Sequence, residues 1–198
     1  MVVTYTNRKG RKYYLCQGVT KTGKPRYYFS REQKGNLVDE IPAGYEITES
    51  VNGVVSLSKV RPKVLLDAEI NKVRKAIEKH PEGHKYRIGV KSKVITIYEP
   101  LGPNMQELAD ILASGLGLSG AALEDFNERL AREHEIYTRY TPVMRFKLID
   151  TEKRLFRAER MGYLGEGGWI DVEGGKPIEE LAESLIPTLG TDEFFELW

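Results

Sequence analysis

The sequence is poor in the residues that report a disulfide framework or a metal site. Its 198 residues include one cysteine, Cys16, and three histidines. One thiol cannot form a disulfide within the chain, and zinc sites that need two or more cysteines of one chain are excluded. A chain with a single thiol is by default cytoplasmic, so we expect that compartment.

Long apolar runs are also missing. No hydrophobic stretch approaches the length of about 18 residues that a membrane-spanning helix needs. At the start of the chain Val2 and Val3 are followed by a basic cluster, with no apolar signal-peptide core. The sequence therefore predicts neither a membrane partner nor a secretory signal.

An excess of one charge is absent overall, because 30 basic residues face 29 acidic ones. The two ends are nevertheless opposite in sign. Residues 1–36 contain nine bases and one acid, and residues 162–198 contain nine acids and one base. This asymmetry indicates an anionic partner at the basic end. Alternatively, the two ends pair with each other, within the fold or between subunits.

Two aromatic segments near the amino terminus predict a β-hairpin. Residues 11–17 and 26–30 are rich in β-formers and enclose a glycine and a proline. Because side chains alternate along a strand, Tyr13 and Tyr14 point to opposite faces, as do the two neighbouring tyrosines of the second segment. One aromatic row packs inward while the other stays accessible.

A second hairpin is predicted from Tyr45–Glu49 and Val54–Ser58, joined by a type I′ turn at Asn52-Gly53. Residues 1–60 thus form a small, basic, tyrosine-rich β-module. The boundary is predicted at Arg61-Pro62, because proline disfavours helix in the preceding residue.

Residues 61–198 mix helical and strand periodicity, which predicts an α+β domain with an acidic C-terminal segment. Asn104 has the position of a helix N-cap. Helices are predicted near 66–80, 105–113, 119–134 and 177–185, and antiparallel strands near 86–90, 94–98, 142–149, 154–164 and 169–172.

Two segments of the predicted hairpin, and two segments further on, resemble other proteins. The segments YTNRKGRKYYL and TKTGKPRYYFS, with RLFRAERMGYL and LGTDEFFEL further on, are similar to uncharacterised bacterial proteins. The resemblance implies no activity, cofactor or partner for any residue.

The segment GLGLSG satisfies the GxGxxG pattern through Gly115, Gly117 and Gly120. In a dinucleotide fold these glycines follow a strand and open a helix that faces a pyrophosphate. Here a predicted helix precedes them. We therefore interpret the segment as a connection between two helices, the second capped by Ser119.

Four further groups contain side chains that occur in metal or catalytic sites. His80, Glu82 and His84 in HPEGH have metal-binding side chains, with His134 as a possible addition, but Pro81 and Gly83 predict a solvent-facing turn. Two carboxylate pairs are interpreted as structural or solvent-facing: Asp150 with Glu152 in a turn, and Asp171 with Glu173 on one face of a strand. Cys16 is interpreted as a buried thiol.

The basic aromatic hairpin remains the strongest feature. Cations neutralise phosphates, and exposed tyrosine rings stack on unpaired bases. The sequence thus predicts a non-catalytic nucleic-acid-binding accessory protein without metal or cofactor. The alternatives are an assembly subunit that joins its basic and acidic ends, and, third, an enzyme of unidentified class. The predicted contacts are Arg8, Lys9, Arg11, Lys12, Lys24 and Arg26, with Tyr13 and Tyr28 as stacking platforms.

Overall fold

The structure is a computed structural model that describes residues 1–102, 105–162 and 168–197, without the side chains of residues 105–108, 131, 134 and 135. Asn104, predicted as a helix cap, and Leu164, predicted to end a strand, lie outside this part, as does the side chain of His134.

The described residues form five α-helices and eleven strands, so the predicted α+β class is confirmed. In chain order the elements are β1 Thr4–Thr6, β2 Lys12–Val19, β3 Pro25–Ser30, β4 Asn36–Leu37, β5 Tyr45–Glu49, β6 Val55–Lys59, α1 Asp67–Lys79, β7 Arg87–Lys91, β8 Val94–Leu101, α2 Met105–Gly115, α3 Ala121–Tyr137, β9 Arg139–Asp150, β10 Leu155–Met161, β11 Trp169–Lys176, α4 Ile178–Leu185 and α5 Glu193–Glu196.

These elements group into two units. The first contains Met1–Val60 and Leu101–Arg139, and the second contains Arg61–Pro100 and Tyr140–Trp198. The first of these segments ends at Val60, and the second unit begins at Arg61. The α2–α3 segment, which the sequence assigned to the second domain, groups with the first unit.

In the first unit, β2 lies at the centre of a sheet. β3 pairs with it on one side, β1 pairs with its first residues, and β4 pairs with Cys16 and Gln17. The strands β5 and β6 form a separate hairpin. Both predicted hairpins are therefore present, and the two chain segments of each pair run antiparallel.

The two hairpin loops have the same construction. Each loop begins at a hydroxyl residue, Thr20 or Ser50. Its N–H donates to the carbonyl of the residue four positions later, and its hydroxyl accepts the N–H of that same residue. Its own carbonyl accepts the N–H of the glycine three positions later. Gly23 and Gly53 have φ of 79° and 74°. The type I′ prediction is wrong, because Asn52 is not at positive φ. The loop has three residues, and only its glycine needs the left-handed conformation.

The link between α2 and α3 confirms the interpretation of GLGLSG as a helix connection. Leu118 N–H donates to Ala113 O and Gly117 N–H to Ser114 O, with Gly117 at φ 65°. This pair of bonds is the Schellman motif that ends many helices. The helix α3 then starts from Gly120, whose carbonyl accepts the first helical bonds, so the predicted capping by Ser119 is wrong.

The second unit is built on a five-stranded sheet in the order β11-β10-β9-β8-β7. Alternate strand residues meet apolar residues of α1 and α4 in one core, which includes Val73, Ile95, Phe146, Phe156 and Leu181. No helix in the described ranges is long and apolar enough to cross a membrane.

One buried ion pair fastens the start of α1 to the turn between β9 and β10. Arg154 donates from Nε to Oε1 of Glu69 at 2.8 Å and from Nη2 to Oε2 at 2.5 Å. Glu69 is 6% exposed and also accepts the Leu66 N–H. Sequence reasoning missed this pair because its members lie 85 positions apart.

Candidate nucleic-acid interface

The register between β2 and β3 decides which basic and aromatic side chains share a face. Cys16 lies opposite Tyr28, and Gly18 lies opposite Arg26. Opposed residues of an antiparallel pair share a face, as do alternate residues along each strand. We call the resulting surface the basic face. Its members are Lys12, Tyr14, Arg26 and Tyr28.

The two tyrosines of the basic face have defined supports. The Tyr28 ring lies over Gly18, where an added Cβ would be 3.3 Å from a ring carbon, and Tyr28 keeps 39% of its surface exposed. The Lys12 ammonium lies 5.5 Å from the centre of the Tyr14 ring. The Tyr28 ring therefore packs against the Gly18 backbone, and the Tyr14 ring has the Lys12 cation beside it.

Between these rings, Cys16 is fully buried, as the sequence interpretation had it. Its Sγ lies 3.5 Å from the Lys34 carbonyl, so the loop after β3 closes over the thiol. Lys34 itself pairs with Glu32 at 2.5 Å.

Arg11 and Lys24 flank the basic face and are exposed. Arg11 immediately precedes β2. Lys24 lies opposite Thr20 at the end of the hairpin loop. It is two positions before Arg26, so side-chain alternation places it on the same side of the sheet. Together with Lys12 and Arg26 they are four exposed cations in or beside the β2–β3 hairpin.

Lys9, which the sequence also placed in this interface, is buried. It is 8% exposed, and its Nζ donates to the Thr138 carbonyl at 2.7 Å. The buried Asn7 side chain accepts the N–H groups of Lys9 and Arg11 and donates to Gly53 O, which fixes the turn. That turn directs Lys9 into the unit, so we leave it out of the interface.

Arg8 is engaged by a carboxylate of its own unit. Its Nε lies 3.8 Å from Glu49, whose other oxygen accepts the Tyr5 hydroxyl at 3.0 Å. The hydrogen bond to Glu49 raises the pKa of Tyr5. Glu49 therefore already balances the Arg8 charge.

Tyr13 and Tyr28, the two predicted stacking platforms, lie on opposite faces of the sheet. Tyr13 opposes Tyr5 and alternates with Leu15, which opposes Phe29 and is fully buried. Tyr14, and not Tyr13, therefore shares the basic face with Tyr28. The alternation was readable from the sequence, but the choice of face required the register.

At the acidic end, several carboxylates pair with bases of the second unit. Asp171 lies 3.4 Å from Arg157, Glu179 lies 2.5 Å from Lys72, and Glu173 pairs with Lys176.

The expectation that Asp171 and Glu173 share one face is wrong. A register shift between Ala158 and Glu159 inserts an extra β11 residue between them.

The HPEGH segment forms a turn, as predicted. His80 Nδ1 accepts the Glu82 N–H, so the ring proton is on Nε2, which donates to Leu189 O at 3.1 Å. Both ring nitrogens are thus engaged. No cluster of three or more metal-ligating side chains occurs in the part of the chain that the structure describes.

Tyr86 packs edge-on against the His80 ring, with centres 5.3 Å apart. Burial raises the pKa of Tyr86 and also that of the half-buried Glu99. Both groups lie in the second unit, apart in sequence from the basic hairpin.

Comparisons with protein-family models, with curated protein sequences and with solved structures found no match to the chain.

Proposed function

We propose that the protein is a nucleic-acid-binding accessory protein that holds single-stranded or distorted nucleic acid on its basic face. The strand register carries the proposal, because it puts two cations and two tyrosines on one side of one sheet. Cations attract the phosphates, and tyrosine rings stack on unpaired bases without requiring a sequence.

The dimensions suit a short strand. Lys12 and Gly18, the latter opposite Arg26, are six positions apart on β2, which is about 20 Å at roughly 3.3 Å per residue. A stacked strand advances about 3.4 Å per nucleotide. The two cations are therefore separated by the length of about six stacked nucleotides, with the covered Cys16 between them.

The electrostatic test is fluorescence anisotropy of a labelled oligonucleotide over a range of salt. Four phosphate contacts, from Arg11, Lys12, Lys24 and Arg26, give a slope of log affinity against log salt of about −3 for a single strand. Lys12→Gln/Arg26→Gln should halve this slope. Lys91→Gln/Lys93→Gln removes the same charge from exposed positions of the second unit and should leave it unchanged.

The stacking test compares the two predicted platforms. Tyr28→Leu should weaken binding about 5- to 160-fold, since stacking of one base contributes about 1–3 kcal/mol. Tyr13→Leu, on the opposite face, should retain wild-type affinity if circular dichroism shows it folded. Equal losses for both variants, or no binding of any strand at low salt, would overturn the proposal.

A further inference from the structure

A groove in the second unit lies between α1 and α4 and has a volume of about 520 Å³. The two helices run in the same direction along it. The Lys72–Glu179 ion pair joins them at one end, and the His80–Leu189 hydrogen bond joins the segments that follow the two helices. The floor is apolar and includes Ala76 and Ala182.

The walls of this groove carry opposite charges. Lys75 and Lys79 project from the α1 wall, and Glu183 projects from the α4 wall. All three are exposed, and within the described residues none has an ion-pair partner within 4 Å. Lys72 and Glu179, by contrast, neutralise each other.

We propose that this groove face is a self-complementary surface that binds a second copy of the chain. A two-fold axis parallel to the groove exchanges its left and right walls and keeps each residue at its level along the helices. The lysine wall of one copy then faces the glutamate wall of the other, twice. Such a closed, isologous contact is the commonest form of homodimer.

The levels of the charged residues agree with this symmetry. The Lys72–Glu179 pair sets an offset of 107 positions between the helices, and the bond from His80, just after α1, to Leu189, beyond the end of α4, spans a similar 109 positions. Lys75 is therefore level with Ala182 and Glu183. Across the two-fold axis, Lys75 meets Glu183 of the partner copy, and their charges attract.

The size of the face predicts a weak dimer. The helix α1 has 13 residues, which makes it about 20 Å long, and two adjacent helices are about 20 Å wide. The contact is then about 400 Å² per copy, which is below the roughly 600 Å² per partner at the lower end of stable interfaces. Association is expected only at high protein concentration and low salt.

The test is analytical ultracentrifugation of the full chain at about 0.01 M and about 0.5 M salt, where the Debye length falls from about 30 Å to below about 10 Å. Wild type should dimerise at low salt and dissociate at high salt. Lys75→Glu/Lys79→Glu and Glu183→Lys should each weaken the dimer at least about tenfold, because like charges then face each other.

An equimolar mixture of these two variants decides the geometry. In the mixed dimer both contacts are again between opposite charges, so dimerisation should return. Lys91→Glu/Lys93→Glu, an equal charge change on exposed residues away from the groove, should leave the dimer intact. A strict monomer at low salt, or no recovery in the mixture of folded variants, would overturn the proposal.

Discussion

Individual side chains show how local polar bonds separate structural residues from exposed ones. Asn7 and Asp150 each accept two backbone N–H groups and so hold a turn. The Asn7 turn buries Lys9 while leaving Arg11 outside. Charge counting treats both cations alike, and the difference between them follows only from the turn geometry.

Asp150 provides a pH-dependent prediction at this scale. The N–H groups of Lys153 and Glu152 favour the carboxylate and lower the pKa of Asp150. A lowered pKa in the folded state contributes stability above the ordinary pKa of aspartate, and this contribution is lost as the pH falls through the folded value. Asp150→Asn should therefore flatten the acid limb of stability against pH.

The measurement is urea unfolding of wild type and Asp150→Asn between about pH 5 and about pH 2, the range in which a low-pKa aspartate titrates. Asp67→Asn is a matched control, because it makes the same chemical change at an exposed carboxylate. Identical pH profiles for wild type and Asp150→Asn would contradict the prediction.

Elements follow sequence periodicity more closely than individual contacts do. The apolar stripe Leu66, Ile70, Val73 and Ile77 indicated α1, although Leu66 precedes the helix and is exposed. The aromatic runs correctly indicated β2 and β3. Periodicity gives the type of an element and its buried side. It does not give the partner, so the β11 register shift and the face that Tyr13 shares were not predictable.

At the C-terminus of α2, two glycines within three residues should respond to alanine substitution with stability changes of opposite sign. Gly117 has φ 65°, so Gly117→Ala forces a side chain into the left-handed region at a cost of about 1–2 kcal/mol. Gly115 is the last residue of α2, is not at positive φ, and has open space at its Cβ position. Gly115→Ala should therefore stabilise by about 0.5–1 kcal/mol.

Chemical unfolding of the two variants gives both free energies of unfolding. The signs should differ because alanine suits the helical backbone of Gly115 and not the left-handed backbone of Gly117. If Gly117→Ala is as stable as Gly115→Ala, the chain does not form the Schellman motif at this end.

For the whole molecule, the main difference from the sequence-based prediction is the grouping of α2 and α3. Sequence order placed them with the second domain, because a boundary was visible only at Arg61-Pro62. The structure groups them with the first unit, where Lys9 donates to Thr138. Long-range contacts of this kind leave no periodic signal.

The α2–α3 segment is inserted between two neighbouring strands of the second unit. The chain leaves at the end of β8, Leu101, and returns at the start of β9, Arg139. Leu148 N–H donates to Lys93 O, so the end of β9 lies beside the start of β8. The antiparallel pairing brings the two ends of the insertion together.

This arrangement predicts that the second unit folds without the insertion. Replacing residues 102–138 by a short Asn-Gly turn joins β8 to β9 as a hairpin. The core around Phe146 and Phe156 should remain, because none of its members lies in the excised segment. The same excision removes the acceptor of Lys9, which should loosen the turn at Asn7.

Amide chemical shifts and hydrogen exchange measure both effects in one sample. Residues of β10 and α4 should keep native shifts and protection, while amides near Lys9 should exchange faster. A variant with Lys9→Met in the intact chain is the matched control, since it removes the Thr138 bond and keeps the insertion. Loss of protection throughout β10 and α4 after excision would show that the second unit depends on α2 and α3 for its fold.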